Sequence, residues 1–163
     1  MKQIEFPQGK VLVQCPRMLK RYTFWLTAAI LFQFLTAAFH SISFFVNPDL
    51  NNDTERQMHE LITNYYADMG AGFHRSFWNL FTALSACLPL LCVLGGLTLG
   101  YLLWKQAPPN LMKGVIGINL MVFGVLLVVV FVFAFLPPVI CVGLIVLNLL
   151  IAYVLTPGIE SEL

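Results

Sequence analysis

The sequence predicts an all-α, polytopic membrane protein: a four-transmembrane-helix bundle with one amphipathic helix in its outer loop. Two observations carry this. Apolar residues make up 59% of the 163-residue chain and charged residues only 10%, against about 25% in an ordinary soluble domain. The apolar residues also gather into four blocks, and a helix needs about 20 such residues to cross a hydrocarbon core. A soluble domain of this size leaves too much surface wet to hide them.

Residues 1–21 form a polar arm. Lys2, Lys10, Arg17, Lys20 and Arg21 stand there against the single acid Glu5, and Pro7, Gly9 and Pro16 interrupt it. The apolar stretch that follows outlasts a signal-peptide core, so an uncleaved anchor is expected. The first span is placed at 22–46, with Tyr22 and Trp25 as interfacial aromatics at its inner end. Residues 47–72 make the one long polar loop. Within it, Asp53 or Thr54 is an expected N-cap. Met58, Leu61, Ile62, Tyr65 and Met69 recur at helical spacing, which predicts a helix lying on the membrane surface and ended by Gly70 and Gly72.

The second span is placed at 73–104. It is longer than a bilayer requires, so a tilt or a kink is expected, with Pro89 as the kink site. Gly96 and Gly100 form a G-x-x-x-G that permits close helix approach. The third span is placed at 114–136 and the fourth at 139–155. Pro137 and Pro138 force the turn between them, because the ring cannot continue a helix. Residues 156–163 are a short acidic tail.

Charge sets the orientation. The arm carries five Lys/Arg and the 105–113 loop two, while the 47–75 segment carries two against Asp49, Asp53, Glu55, Glu60 and Asp68. The positive-inside rule puts both termini in the cytoplasm and the acidic loop outside. Net charge is +1, so nucleic acid is not an expected partner. The four cysteines, Cys15, Cys87, Cys92 and Cys141, show no disulfide or metal-finger spacing. Cys87 and Cys92 point about 140° apart on a helix and read as packing residues. Cys15, among basic residues near the membrane, is a candidate for acylation.

The candidate polar site draws on the first two spans. Gln33, Thr36, His40 and Ser43 sit at i, i+3, i+7 and i+10, one stripe of a helix. In lipid such a stripe turns toward other helices. Arg75, Asn79 and Thr82 fall on one stripe of the second span, with His74 beside them. A cluster of His40, Ser43, His74, Arg75 and Asn79, joined by Asp68 or Glu60, is then geometrically possible near the outer surface. Interhelical hydrogen bonding is the plainer reading of the same residues. His40, His59 and His74 share no metal-ligand spacing, so neither metal nor cofactor is expected. Asn119 and Asn148 are expected to bridge the third and fourth spans as an amide pair.

The segment Gly72-Phe73-His74-Arg75-Ser76-Phe77-Trp78-Asn79-Leu80-Phe81, followed by Leu84-Ser85, resembles a stretch in small bacterial four-span inner-membrane proteins of unassigned function. There it opens the second span after one polar outer loop. The resemblance implies a bacterial inner-membrane location and brings no chemistry with it. It draws attention to His74 and Trp78, one helical turn apart and placed to stack.

The chain has no phosphate-binding loop, dinucleotide fingerprint, nucleophile elbow or H-E-x-x-H, and no carboxylate inside a span. The leading expectation is therefore a structural or accessory subunit, not itself an enzyme, embedded in the bilayer with a membrane-protein partner or as a homo-oligomer. Two alternatives stand beside it. One is a small-molecule binder or enzyme with an outward-facing site between the first two spans. The other is a subunit of an oligomeric channel or transporter.

Overall fold

The structure, a computed structural model, describes residues 16–46 and 48–157, with side chains from Tyr22 onward. Its elements are α1 (Pro16–Ile42), α2 (Asp53–Asn64), β1 (Tyr66–Asp68), β2 (His74–Ser76), α3 (Phe77–Trp104), α4 (Pro109–Phe133) and α5 (Leu136–Leu155). Tyr22–Ile42, Phe77–Trp104, Pro109–Phe133 and Leu136–Leu155 are each long and apolar enough to cross a membrane. The chain is an all-α bundle, as its composition predicts. Cys15 and the 158–163 tail lie outside the described residues.

Helix α1 is the hub, packing along both α3 and α5. Helix α5 in turn packs along α4, while α3 and α4 touch little although they follow one another in the chain. Leu26 and Ala29 of α1, Cys92 and Leu99 of α3, Ile116 and Phe123 of α4, and Ile145 and Leu149 of α5 form the buried core. Helix α3 has 28 residues, about 42 Å at 1.5 Å per residue. That exceeds a hydrocarbon core of about 30 Å.

Several boundaries differ from the sequence expectation, each for a local reason. The loop holds a β-hairpin as well as a helix. Tyr66, Ala67 and Asp68 pair antiparallel with Ser76, Arg75 and His74. Gly70 and Gly72 therefore form the hairpin turn, with φ of 82° and 81°, a conformation that costs glycine nothing. They do not end α2, which stops at Asn64 before Met69 is reached. Helix α3 starts at Phe77 because 74–76 are committed to the strand, and Ser76 caps it by accepting from the Asn79 amide. The cap of α2 is Asn52, one residue before the expected Asp53. Its Oδ1 accepts from the Glu55 amide while Glu55 reaches back to the Asn52 side chain and the Asn51 amide, a reciprocal cap.

Helix α1 ends at Ile42 and is followed by turns at 43–45. Helix α4 begins at Pro109, where a missing N–H costs nothing, and ends at Phe133. Pro137 and Pro138 occupy the first turn of α5. They open that helix, and the break itself falls at 134–135. At the other end of α3, Gln106 takes a left-handed φ of 51°. The Ala107 amide then bonds Leu102 O and the Gln106 amide bonds Leu103 O. This is the Schellman closure that usually requires glycine.

The two ends of the bundle differ. One carries α2 and the hairpin. The other, the arm end, carries a Lys/aromatic belt, with Lys105 Nζ 4.6 Å from the Trp104 ring and Lys113 Nζ 5.3 Å from the Tyr153 ring. Aromatic and basic residues together are what a membrane–water interface selects.

Candidate functional site

The most specific arrangement is built around Pro89. A proline has no N–H, so the carbonyl four residues earlier in its helix loses its bond. In α3 that carbonyl belongs to Ser85. His40, in the last turn of α1, places Nε2 3.1 Å from Ser85 O and 2.7 Å from Ser85 Oγ. The roles in these contacts depend on the tautomer: with the hydrogen on Nε2 the ring donates to both oxygens, since a carbonyl only accepts. The His40 and Phe44 rings meet in a T-shaped contact, with centroids 5.6 Å apart. In this tautomer Nε2 has no lone pair for the Ser85 hydroxyl proton. The Ser–His contact ties α1 to α3.

A second polar node lies deeper. Gln33 is fully buried, and neither Oε1 nor Nε2 has a partner. It lies against the Gly95-Gly96 pair of α3. A Cβ built on Gly95 stands 3.2 Å from Gln33 Oε1, 2.8 Å from Asn119 Oδ1 and 3.2 Å from the Phe123 ring. Residues of α1, α3 and α4 thus converge where one residue has no side chain. Gly96 serves the same close approach, with Phe34 at 3.1 Å, whereas Gly100 has nothing within 4 Å. Of the expected G-x-x-x-G, only its first glycine packs. The amide pair bridging α4 and α5 does not form as expected. Asn119 Nδ2 donates to Val115 O and Asn148 Nδ2 to Leu144 O, each within its own helix. The i−4 carbonyl, already bonded to the backbone N–H, keeps a second lone pair within reach, so a short amide turns back to it.

The remaining candidates are dispersed. Thr36 is buried on the α1 stripe with Gln33. Ser43 Oγ donates to its own helix at His40 O. His74 and Arg75 are exposed on β2, with Arg75 5.9 Å from the Phe73 ring, and Asn79 is exposed at the start of α3. Ser76, which caps α3, and Ser85 within it are nine residues apart, about 13 Å at helical rise, so the hairpin residues and His40 occupy different levels. Asp68 Oδ1 accepts from the Gly70 amide in the hairpin turn. Trp78 meets His59 of α2 at 5.5 Å and not His74, which stands in the strand. Among the described residues no three His, Cys, Asp or Glu side chains come together to hold a metal ion.

Sequence reading identified His40 and Gln33 but not their partners. Pro89 is legible in the sequence as a helix-interior proline, and the carbonyl it frees four residues back marks Ser85. Nothing in the sequence pairs Gln33 with Gly95 and Asn119, because that contact depends on how three helices cross. Gln33→Leu is expected to stabilise the bundle by about 1 kcal/mol, since the buried amide has no hydrogen bond to lose. Thermal unfolding in detergent measures this, and a lowered midpoint would show that the amide is bonded in solution.

No protein-family model matches the chain, and no match to a curated protein or to a solved structure was found.

Proposed function

We propose that the protein is a membrane-embedded accessory subunit that assembles with another membrane protein and has no catalytic activity of its own. The observation that carries this reading is the outward flank of α4. Ile118, Val122, Val125, Val129 and Val132 are all exposed on the bundle. Their spacing of four, three, four and three residues is a seam of period 3.5, the pattern that receives a partner helix. Every member is β-branched and stiff at χ1, so little side-chain entropy is lost on packing. Helix association in lipid is driven by such packing, since the hydrophobic effect gives no preference between lipid and protein.

The polar groups of the spans support the same reading. His40 ties α1 to α3, and Asn119 and Asn148 bond within their own helices, so none of these polar groups is spent on the exposed flank of α4. An outward site between α1 and α3 built from His40, His74 and Asn79 is disfavoured, because those side chains lie at different levels. Lys105 and Lys113 at the arm end agree with the positive-inside placement of both termini in the cytoplasm of a bacterial inner-membrane protein.

The test is crosslinking from photoreactive residues at Val125 and Val129, followed by purification in mild detergent. One stoichiometric protein partner, absent when the probe is moved to exposed Leu97 of α3, is the expected outcome. A second copy of the chain as that partner would favour the oligomeric channel or transporter reading. A lone monomer with an activity that depends on His40 would overturn the proposal.

A further inference from the structure

Helix α2 meets the bundle with one side and exposes another. His59 contacts Trp78, and Ile62 and Thr63 are half-buried. Met58, Leu61 and the C-cap Tyr65 stand at i, i+3 and i+7, a separate stripe of the same helix, and all three are exposed. That stripe does not end with α2. The Tyr65 ring stacks on Phe77 at 6.0 Å, and Phe77 meets Phe81 at 6.5 Å. Phe77, Phe81 and Leu84 are in turn exposed along α3, so the apolar surface of α2 runs unbroken onto the lipid-facing flank of a span. We infer that α2 and the β1–β2 hairpin form one interfacial lobe, with the Met58–Leu61–Tyr65 stripe seated in the lipid surface on the hairpin side.

Height selects lipid as the occupant. Helix α3 has 28 residues, about 42 Å at helical rise, or about 39 Å along the membrane normal at an ordinary tilt of about 20°. A bilayer with its headgroup regions is about 40–45 Å thick. Trp104 and Lys105 pair at the inner end of α3, as aromatic and basic residues do in an interface. With them in one headgroup region, Phe77 and Trp78 fall in the other. The lobe joins α3 at those two residues, so it lies among headgroups and not out in water. Charge states what holds it there. Residues 48–76 carry five acids against Arg56 and Arg75, so anionic headgroups do not attract the lobe. Apolar contact seats it, which needs no anionic lipid and is not screened by salt.

The test places a genetically encoded nitroxide at Leu61, or at Arg56 about 140° away round α2, in the full chain reconstituted in phosphatidylcholine vesicles. Power saturation compares access of oxygen, which concentrates in lipid, with access of a water-soluble nickel chelate. The oxygen-to-nickel ratio is expected to be at least about threefold higher at Leu61 than at Arg56, in low and high salt alike. A label at Met58, on the same stripe, is expected to repeat the result at Leu61. Equal ratios at Leu61 and Arg56 would overturn the inference by showing the lobe clear of the membrane. Spin–spin broadening from labels at Leu61 would overturn it by showing a second copy on this face. A difference abolished by salt would do the same, by showing that charge and not apolar contact holds the lobe. The α4 seam takes no part in these readouts, so the partner proposed there and the lipid proposed here stand or fall separately.

Discussion

Gly95→Leu is expected to abolish the folded bundle, and Gly95→Ala to destabilise it by about 1–3 kcal/mol, the range for overpacking a closed core. The site is closed from three sides. The added methyl would lie 2.8 Å from Asn119 Oδ1 and 3.2 Å from both Gln33 Oε1 and the Phe123 ring. Asn119 does not move away freely, because Nδ2 is bonded to Val115 O at 2.9 Å. Relief therefore requires α3 to back away from α1 or from α4. Gly100 and Gly124 have nothing within 4 Å, so Ala there is expected to be neutral or to stabilise by up to about 1 kcal/mol through helix propensity. Thermal unfolding of the three Ala variants in one detergent makes the comparison. Equal midpoints for all three would show that α1, α3 and α4 do not meet at Gly95.

The contrast among these glycines shows how far the sequence carries. Apolar block length fixes four spans, because the bilayer imposes one length scale on every helix. Block edges are less legible. Pro137 and Pro138 read equally as a stop for α4 or a start for α5, and the missing N–H is tolerated only at a start. The hairpin was hidden because Tyr65 and Met69 fall on the apolar phase of α2. The positive-φ turn at Gly70 and Gly72 redirects the chain before that phase is used. The α1 stripe predicts that Gln33, Thr36, His40 and Ser43 turn inward; Gln33 and Thr36 are buried and His40 bonds across to α3, whereas Ser43 is exposed beyond the end of the helix. Which residue each one meets follows from helix crossing geometry, which no single helix encodes. The candidate cluster on His40, His74 and Asn79 assumed that the second span begins at residue 73. Pairing of 74–76 as a strand removes that assumption and separates the hairpin from the His40–Ser85 contact.

A double-mutant cycle is expected to couple His40 with Pro89, although the two side chains need not touch. In the unaltered chain, His40→Ala leaves the part-buried Ser85 carbonyl without its donor, at a cost of about 1–3 kcal/mol. In the Pro89→Ala background residue 89 regains an N–H, and Ser85 O recovers the ordinary i−4 bond of an α-helix. His40→Ala then orphans nothing and is expected to cost less, giving a coupling energy of about 1–2 kcal/mol, within the range for residues that share one partner. Equal costs in both backgrounds would mean that His40 acts through something other than the freed carbonyl. Ser85→Ala separates the remaining possibility. It removes the hydroxyl at 2.7 Å and leaves the carbonyl at 3.1 Å. If the carbonyl is the reason for the histidine, Ser85→Ala is milder than His40→Ala and leaves the coupling with Pro89 intact. If the hydroxyl is the reason, Ser85→Ala and His40→Ala cost the same and the coupling vanishes.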